Sequence, residues 1–289
     1  MNICNDRKPM LILVTGATGN VGRYVVNKLV KAGVKVRALT RNPAKANLPS
    51  DVEVVSGDLA QSETLLPVLE GVARLLLFPI AYKAPVSTSE EDFVETTYVV
   101  SLAKQAGVQR IVVLSSSGSP FVNVEQAVEA SGMEWSHLRP GEFMLNKLDP
   151  WAASIRAEGI VRSAYPDVPV VSIHEEDIAD VAVSVLLEDG HSGATYTLTG
   201  PESISERDMV GAIEASIGRS IRIEKLTHEQ ARDNMIREGL TEDIANYMLS
   251  YYERWSNEPP KVLPTVELCL GHRGRSFAQW AVDHAEDFK

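Results

Sequence analysis

Short apolar runs alternate with amphipathic segments along the first half of the chain. The segment Met10–Thr15 is apolar up to its last residue and leads into a glycine-rich turn, which is typical of a strand buried on both faces. From Val21 to Val30 the apolar positions recur at helical spacing, and Gly33 then gives a stop signal. The pattern predicts a strand, a loop and a helix, followed by a second strand over Val34–Leu39.

The alternation continues to the middle of the chain. Further strands are predicted over Val52–Val55, Arg74–Phe78, Ile111–Leu114 and Trp135–Leu138. Helices are predicted between them, over Glu63–Leu69, over a long segment that ends at Ala106, and over Val122–Ala130. Strands that alternate with helices form βαβ units and pair in parallel through right-handed crossovers. The predicted fold class is α/β, with a Rossmann-type, doubly wound parallel sheet in residues 1–150.

Beyond Pro140 the pattern becomes mostly helical. Two strands are predicted over Val170–Ile173 and Thr195–Leu198, with a helix between them. The remaining elements are predicted at Glu206–Ile217, Glu229–Glu238, Thr241–Trp255 and Phe277–Ala285 as helices and at Ile221–Glu224 as a short strand. Together they predict a smaller substrate lobe in residues 151–289, in which residues 170–200 return to the sheet.

One predicted helix of this lobe carries an aromatic stripe at helical spacing. The stripe consists of Ile244, Tyr247, Met248, Tyr251, Tyr252 and Trp255. Such a stripe can wall a pocket for a flat, apolar substrate. It can equally pack in the core or form a dimer face, so monomer and homodimer both stay open.

The strongest motif is the loop that follows the first strand. Residues 15–23 are TGATGNVGR. In such a loop Gly16 permits the tight turn, Gly19 lets the backbone approach a pyrophosphate, and Gly22 allows close packing. The following helix offers free N–H groups and its positive dipole end to phosphates. This context favours dinucleotide binding over a ligand-free turn, through Gly16, Thr18, Gly19, Asn20, Val21 and Gly22.

The end of the second strand indicates which dinucleotide binds. NAD sites place an acidic residue roughly 20 residues after the loop, where it binds the ribose 2′-hydroxyl. No acidic residue lies between Gly22 and Thr40, and Arg41 and Lys45 follow instead. A guanidinium suits a 2′-phosphate, which a carboxylate would repel. We therefore expect NADP(H), with an arginine stacked on adenine in an NAD site as the alternative.

Composition and charge narrow the choice of partners. The formal net charge of −11 disfavours binding to nucleic acid. No apolar stretch approaches the length of about 18 residues that suggests a membrane span, and the first nine residues lack the pattern of a signal peptide. The two cysteines, Cys4 and Cys269, are far apart in the sequence and suit a reducing compartment. We expect a cytoplasmic protein that binds neither nucleic acid nor membrane.

The chain resembles the atypical short-chain dehydrogenases/reductases, specifically the NmrA-like or NAD(P)H-binding group. The matching blocks are TGATGNVGR at 15–23, RALTRNPAK at 37–45, GDL at 57–59, RIVVLSSSG at 110–118, EQAVEASGMEWSHLRPGEFM at 125–144 and HEEDIADVAVSVLLEDGHSGATYTLTGPE at 174–202. The resemblance covers roughly residues 10 to 285. It implies that Asp58 and Leu59 lie beside the adenine, and that Phe78 and Pro79 run past the cofactor ribose. It also implies that Pro140 and Phe143 lie near the nicotinamide.

The usual catalytic pair of this superfamily is missing. Many short-chain reductases combine a serine after the fifth strand with a Tyr-x-x-x-Lys pair on the next helix. Ser115, Ser116 and Ser117 occupy the strand end, and Ser115 is expected to contact the cofactor, but residues 121–127 read FVNVEQA. Tyr24 and Lys28 have the right spacing but lie in the first helix, on the wrong side of the cofactor.

Other groups must then supply the polar contact or the proton that carbonyl reduction needs. The candidates are Ser116, His174 and Tyr165. A serine at the sheet end can be purely structural. His174 precedes a predicted helix whose N-cap we assign to Glu176 or Asp177, and a lone histidine there is more often structural than catalytic. The histidine spacing predicts no metal site.

Two functions are consistent with these features. The first is an NADPH-dependent reductase of a quinone or aromatic ketone-like carbonyl compound that lacks the Tyr-x-x-x-Lys pair. The second is a non-catalytic NADP(H) sensor that acts through a protein partner. Fold-level analogy alone does not separate them.

Overall fold

The computed structural model describes residues 10–82, 93–116 and 121–289. Its strands, in chain order, are β1 (Leu11–Val14), β2 (Lys35–Thr40), β3 (Glu53–Ser56), β4 (Arg74–Leu77), β5 (Ala81–Tyr82), β6 (Phe93–Val94), β7 (Arg110–Leu114), β8 (Glu134–Pro140), β9 (Ile160–Ser163), β10 (Pro169–Val170), β11 (Ala194–Leu198), β12 (Ile204–Ser205) and β13 (Arg222–Lys225).

The α-helices are α1 (Gly22–Lys31), α2 (Leu66–Leu69), α3 (Thr97–Gln105), α4 (Phe121–Glu129), α5 (Leu148–Glu158), α6 (Glu175–Leu187), α7 (Glu206–Ile217), α8 (His228–Arg237), α9 (Glu242–Asn257), α10 (Thr265–Leu270), α11 (Phe277–Asp283) and α12 (Ala285–Phe288). Short 3-10 helices cover Pro43–Lys45, Ser62–Thr64 and Met144–Lys147. No helix in the described ranges is both long enough and apolar enough to cross a membrane.

The chain forms two units, and each is interrupted in sequence. The first unit contains the described residues up to Pro140 together with Ile178–Thr197. The second unit contains Gly141–Asp177 and Leu198–Lys289.

A seven-stranded sheet forms the centre of the first unit, in the order β11-β8-β7-β4-β1-β2-β3. From β3 to β8 every neighbouring pair is parallel. The chain runs from β1 outward to β3 and then returns to β4 on the other side of β1, so the direction of winding reverses between β1 and β4. This is a doubly wound Rossmann-type sheet, and the predicted fold class is confirmed. Ligands of such sheets bind at the carboxyl ends of the strands beside this reversal.

Alternate apolar residues of the strands pack against the helices. Leu75 and Leu77 of β4 and Ile111 and Val113 of β7 are buried in one cluster with residues of α3 and α4. The alternation of side chains along a strand places these residues on one face of the sheet.

The predicted helix over Glu63–Leu69 is wrong in its extent. The segment divides into the 3-10 helix Ser62–Thr64 and the single turn of α2. Pro67 lies in the first turn of α2, where its missing N–H is tolerated but would break a longer helix.

Arg74 and Arg110 bind the carboxyl end of α6 within the first unit, and both donate to the Leu186 carbonyl. Arg110 is 4% exposed, and its guanidinium donates to the carbonyl oxygens of Val185 at 3.3 Å and Leu186 at 3.4 Å. It also forms ion pairs with Glu134 at 2.7 Å and Asp189 at 3.0 Å. Because the last carbonyl groups of a helix lack partners within the helix, Arg110 fixes the end of α6.

The second unit has small sheets and a separate core. β9 pairs with β13 in parallel, and β10 pairs with β12 antiparallel. The core cluster includes the buried aromatic residues Trp151, Phe277, Trp280 and Phe288 together with apolar residues of α5 and α7.

The prediction that Val170–Ile173 is a strand returning to the large sheet is wrong. Only Pro169–Val170 is extended, and it pairs with β12. Ile173 instead forms a single bridge with Phe143, and both Val170 and Ile173 are fully buried in this unit. A short apolar run does not distinguish a sheet strand from an equally buried connection. In contrast, Thr195–Leu198 does belong to the large sheet, as part of β11 at its edge.

His284 separates α11 from α12 and contacts two carboxylates. Its imidazole lies 3.1 Å from Glu175 Oε1 and 3.0 Å from Asp287 Oδ2. The hydrogen bond to Glu175 raises the pKa of His284 above its ordinary value, although burial opposes the shift. Burial would raise the pKa of Glu175, but His284 and His174 hold it below its ordinary value.

We predict that Arg110→Met destabilises the first unit. The substitution leaves the Val185 carbonyl without its charged donor, although Arg74 still donates to Leu186, and the loss of a hydrogen bond to a charged group costs about 1.5–3 kcal/mol. Chemical denaturation followed by circular dichroism measures the free energy of unfolding. The exposed Lys104→Met is the control, and equal stability of the two variants would contradict this account of the helix end.

A second prediction concerns pH. Protonated His284 stabilises the second unit fully below pH about 6.5, and this contribution is lost as the pH rises through the raised pKa of the folded state. Glu175 does not mask the effect, because its contribution is lost only as the pH falls through its lowered pKa. The melting temperature of His284→Asn should therefore fall less over this rise in pH than that of the native protein. His272→Asn, at an exposed histidine, should retain the native dependence.

Candidate functional site

The loop between β1 and α1 can exist only with glycine at two of its positions. Gly16 has a φ of +60°, in the left-handed region that favours glycine. A Cβ at Gly22 would lie 2.1 Å from the carbonyl oxygen of Gly16. The same oxygen accepts a hydrogen bond from the Gly19 N–H at 2.9 Å and would lie 3.2 Å from a Cβ there. The loop therefore folds back tightly on the first turn of α1.

The start of α1 is suited to an anion. Val21 precedes the helix and gives no side-chain cap, and the first turn contains no acidic residue. The first N–H groups of a helix have no partner within the helix. Since Asn20, Val21 and Gly22 lie at this helix end, their backbone is available to a phosphate.

A cavity of about 310 Å³ lies at the carboxyl ends of the strands in the first unit. Its walls come from the glycine loop, the end of β2 and the residues that follow β3 and β4. They are Gly16, Thr18, Gly19, Leu39, Thr40, Arg41, Gly57, Asp58, Leu59, Phe78, Ile80 and Ala81. The structure thus brings together seven of the residues predicted to bind the cofactor: Gly16, Thr18, Gly19, Arg41, Asp58, Leu59 and Phe78. Their contact with a cofactor stays a prediction.

The two basic residues after β2 differ in position. Arg41 is exposed and lies on the cavity wall. Within the described part of the chain, its guanidinium has no hydrogen-bond or ion-pair partner. Lys45 ends the 3-10 helix Pro43–Lys45 and is not among the wall residues.

Asp58 shapes the far wall of the cavity. Its Oδ1 accepts the Ala60 N–H at 2.9 Å, and its own N–H donates to Thr64 Oγ1 at 3.1 Å. The carbonyl of the neighbouring Leu59 accepts a hydrogen bond from the Tyr98 hydroxyl. The first two hydrogen bonds hold Asp58 in a turn, and the third fixes the backbone of Leu59 at the cavity wall.

Sequence reasoning missed Thr15 as a positioning residue. Its hydroxyl donates to the Leu76 carbonyl at 3.2 Å and accepts the Phe78 N–H at 2.7 Å. Thr15 is buried, whereas the ring of Phe78 remains 37% exposed at the cavity. The hydroxyl thus joins the ends of β1 and β4 and sets the position of Phe78. The next residue, Pro79, is buried, and its carbonyl accepts a hydrogen bond from the Thr96 hydroxyl at 2.7 Å.

Ser115 and Ser116, the described serines after β7, are not on the wall of this cavity. Ser115 is buried, and its N–H donates to the Leu138 carbonyl at 2.7 Å. Its hydroxyl also bonds the buried Glu125: burial would raise the pKa of that carboxyl group, but Arg139 and Ser115 hold it below its ordinary value. Ser116 is half-buried at the strand end, and Ser117 lies outside the described residues.

The two residues predicted beside the nicotinamide fall in different units. Pro140 ends β8 in the first unit, whereas Phe143 belongs to the second.

Tyr24 and Lys28 have the structural role expected from their position in α1. Lys28 forms an ion pair with Asp180 of α6 at 2.7 Å. The guanidinium of Arg23 lies over the ring of Tyr24, 5.0 Å from its centroid.

His174 caps a helix. It is 1% exposed, and its Nδ1 accepts the Glu176 N–H at 3.1 Å. The predicted N-cap at Glu176 or Asp177 is therefore wrong, because α6 already begins at Glu175. Asp177 binds the backbone and guanidinium of Arg275 instead.

Tyr165 lies on a cavity of about 210 Å³ within the second unit. Its hydroxyl bonds His228 Nδ1 at 2.8 Å, and its ring stacks against that of Tyr252 at 6.0 Å. Apolar and aromatic side chains contribute much of the wall: Trp151, Leu226, Met235, Met248, Leu249 and Tyr252. The aromatic stripe on α9 therefore divides, since Met248 and Tyr252 line the cavity while Tyr247 is 57% exposed.

A buried ion cluster that sequence reasoning missed also lines this cavity. The Lys147 ammonium lies 2.9 Å from both Glu142 Oε1 and Glu206 Oε1, and 2.7 Å from the Tyr252 hydroxyl. Ser172 donates to the other oxygen of Glu142 at 2.7 Å, and Ser163 donates to Glu206. We call Glu142, Lys147, Glu206 and Tyr252 the lysine cluster.

Within the lysine cluster, Lys147 and Glu142 stabilise each other's charged forms. Burial would lower the pKa of Lys147, but Glu142 and Glu206 raise it well above its ordinary value. Burial would raise the pKa of Glu142, but Lys147 lowers it below its ordinary value. Among the described residues, no group of three or more histidine, cysteine or acidic side chains is arranged to hold a metal ion.

A comparison with known protein families is consistent with the glycine loop and the cavity of the first unit. The chain belongs to the NAD(P)H-binding family, whose model matches residues 16–189. The family predicted from the sequence motifs is thus confirmed, and the glycine loop begins at the first matched residue.

Two relatives and one solved structure are similar over nearly their whole lengths. The (4-alkanoyl-5-oxo-2,5-dihydrofuran-3-yl)methyl phosphate reductase of Streptomyces griseus is 34% identical, over 96% of this chain and 99% of its own. The NAD(P)H azoreductase of Xenophilus azovorans is 34% identical with the same two coverages. The NADPH-dependent quinone oxidoreductase QOR2 of Escherichia coli is 26% identical, with a TM-score of 0.75 over 94% of this chain and 98% of its own.

We predict that Gly22→Ala weakens both the fold and cofactor binding. The added methyl group would meet the Gly16 carbonyl at 2.1 Å, and relief of such overpacking costs about 1–3 kcal/mol. Denaturation gives the stability, and fluorescence titration gives the affinity for NADPH. Gly211→Ala, where a Cβ meets nothing within 4 Å, should not destabilise the protein. Native stability and affinity in Gly22→Ala would show that the loop has another conformation.

Proposed function

We propose that this chain is an NADPH-dependent reductase of flat, conjugated quinone or carbonyl compounds that works without a Tyr-x-x-x-Lys pair. The observation that carries the proposal is the cavity at the switch of the first sheet, walled by the glycine loop and by Arg41. The tight loop and the open helix start fit a pyrophosphate. When bound, the reduced nicotinamide supplies the hydride.

Arg41 supports NADPH over NADH. It stands at the end of β2, where NAD sites carry an acidic residue, and the stretch from Gly22 to Thr40 contains no acid. Its guanidinium has no partner within the described residues, so it is available to bind a 2′-phosphate in a bidentate manner. QOR2, a solved neighbour, is named as NADPH-dependent.

The names of the relatives support the substrate class. They act on an azo compound, a quinone and an oxo-dihydrofuran phosphate. Each of these compounds has a conjugated, electron-poor double bond that can accept a hydride. Within the second unit, a separate cavity offers the aromatic surface of Trp151, Tyr165 and Tyr252, which suits a flat ligand.

The polar contact to the substrate is assigned to Ser116. The superfamily's serine position lies at the end of β7, where Ser115 is buried and bonded to Glu125 whereas Ser116 is only half-buried. The helix that follows, α4, contains neither a tyrosine nor a lysine. Ser116 is therefore the hydroxyl we expect to donate to a substrate carbonyl. His174 is left out because it caps α6.

Turnover tests the proposal. Purified protein is mixed with NADPH and a panel of naphthoquinones and aromatic ketones, and the loss of NADPH absorbance is followed. Reduction of at least one class supports the reductase. Tight binding of both NADPH and NADP⁺ without turnover of any compound would overturn it in favour of a redox sensor.

We predict that Arg41→Glu weakens NADPH binding far more than NADH binding. Loss of a charge-assisted hydrogen bond costs roughly 1.5–3 kcal/mol, about a ten- to hundredfold loss of affinity, before the repulsion by the new carboxylate is added. Titration with both cofactors measures the two dissociation constants. Lys45→Glu makes the same change of charge away from the cavity wall and should have a smaller effect. Equal losses for NADPH and NADH in Arg41→Glu would contradict the assignment.

A further inference from the structure

A buried ion pair lies at the carboxyl ends of two neighbouring strands of the first unit. Glu125 of α4 is 2% exposed, and its two carboxylate oxygens accept hydrogen bonds from the guanidinium of Arg139, with 2.9 Å between Nε and Oε1. Arg139 is the penultimate residue of β8. The arginine thus binds the carboxylate in a bidentate manner, which fixes both the distance and the relative orientation of the two groups.

The same carboxylate also binds the end of the neighbouring strand. Leu114 of β7 is paired with Leu138 of β8 in parallel register, and the N–H of Ser115 continues the ladder by donating to the Leu138 carbonyl at 2.7 Å. Ser115 therefore lies beside Arg139, and its hydroxyl bonds Glu125. A single side chain of α4 thus joins the carboxyl ends of β7 and β8.

Apolar contacts hold α4 on this face of the sheet. Val124 of α4 is buried in one cluster with Ile111 and Val113 of β7. Since side chains alternate along a strand, Ser115 continues the row that Ile111 and Val113 form. The same contacts that fix the helix on the sheet therefore fix Glu125, the neighbour of Val124, at the strand ends.

Stability alone does not explain a charged pair at this place. Removing two ions from water is costly, and apolar side chains of similar volume often stabilise a fold as well as a buried ion pair does. Burial would raise the pKa of Glu125, but the hydrogen bond from Arg139 holds it below its ordinary value, and the hydrogen bond to Glu125 raises the pKa of Arg139. Both groups thus keep their charge, and what the pair adds over an apolar contact is a defined geometry.

Ser116 is attached directly to this strand end. Its carbonyl oxygen lies 3.4 Å from the Ser115 hydroxyl, and its own side chain is half-buried. Its hydroxyl forms no hydrogen bond with any other described residue. A donor to a substrate oxygen must be held in place before the reaction, because a misplacement of about 1 Å can cost roughly a hundredfold in rate.

We propose that Glu125 is a positioning residue of the reductase, which acts through Ser115 to hold Ser116 where it donates to the substrate oxygen. The inference rests on the proposed function, in which Ser116 makes the polar contact to the substrate. Arg139 holds the carboxylate of Glu125, Glu125 holds the Ser115 hydroxyl, and the backbone of Ser115 carries Ser116. All four residues belong to the first unit.

A double-mutant cycle with Ser116 tests the proposal. Glu125→Gln keeps the shape of the side chain but removes the charge that holds Arg139, and kcat at saturating NADPH and naphthoquinone should fall roughly ten- to a hundredfold. In the Ser116→Ala background the same substitution should lower kcat little further, since residues that act as a unit show non-additive losses. A double variant in which the two losses multiply would overturn the proposal, because independent effects add in free energy.

The matched control is Glu129→Gln, one turn further along α4. Glu129 is 46% exposed and contacts His137 at 3.2 Å instead of Arg139. This variant also removes one carboxylate from α4 but leaves Glu125 in place, so kcat should stay at the native value. A loss of kcat equal to that of Glu125→Gln would show that any change of charge on this helix has the effect, which would overturn the specific role of Glu125.

Ser115→Ala decides the matter if Glu125→Gln does not fold, which circular dichroism shows. It removes the hydroxyl that links Glu125 to the strand end and leaves the pair of Glu125 with Arg139 intact. Its kcat should fall, and again little further when it is combined with Ser116→Ala. Native kcat in folded Ser115→Ala would contradict the proposed link.

The outcomes separate this inference from the proposed function. Absence of turnover in the native protein would overturn both. Turnover that Ser116→Ala leaves unchanged would overturn the contact assigned to Ser116, and the inference with it, while the reductase stands. Turnover that depends on Ser116 but shows multiplied losses with Glu125→Gln would overturn the inference alone.

Discussion

The glycine loop depends on one close approach between two backbone segments. The first turn of α1 lies so near the Gly16 carbonyl that a single methyl group at Gly22 would come within 2.1 Å of it. This approach places the start of α1 directly above the end of β1. The buried residues of α1 include Val25, Val26 and Leu29, and the first N–H groups of the helix have no partner within it. The phosphate site that we propose takes its position from this contact.

The two candidate ligand cavities differ in the exposure of their charged side chains. In the first, the side chains suited to a ligand lie at strand ends, where water reaches groups such as Arg41. In the second, the charges of Lys147 and Glu206 are buried beside aromatic rings. Removing ions from water costs several kcal/mol per ion, so a buried cluster needs excellent partners to persist. The hydrogen bonds from Ser163 and Ser172 provide them.

Much of the first unit could be predicted because its signals are local. The glycine loop lies in one short segment, and Arg41 follows the next strand, where a residue that selects the cofactor is expected. The resemblance to the NAD(P)H-binding group implied that Asp58 and Phe78 also lie beside the cofactor. Lys45 ends a 3-10 helix after β2 and is not among the wall residues, so its contact with the cofactor stays a prediction. Pro67 shortened a predicted helix for a local reason that the apolar pattern alone did not reveal.

The lysine cluster could not be predicted in the same way. Its contacts join Lys147 to residues 59 and 105 positions away in the chain, and no periodicity in the sequence reports such a contact. Thr15 was missed for a related reason, since its partner Leu76 lies 61 positions away. An isolated polar residue at the end of an apolar run predicts a strand end but not what its hydroxyl will bind.

The order in which the chain visits the two units has a consequence for biosynthesis. A nascent chain that has emerged up to Pro140 contains six of the seven strands of the large sheet. The seventh, β11, emerges only after Gly141–Asp177, which belong to the second unit. Until then β8 has an unpaired edge, and such edges invite pairing with other chains. The large sheet can therefore be completed only after Gly141–Asp177 of the second unit have been synthesised. A contiguous fragment that ends at Pro140 would leave the edge of β8 exposed.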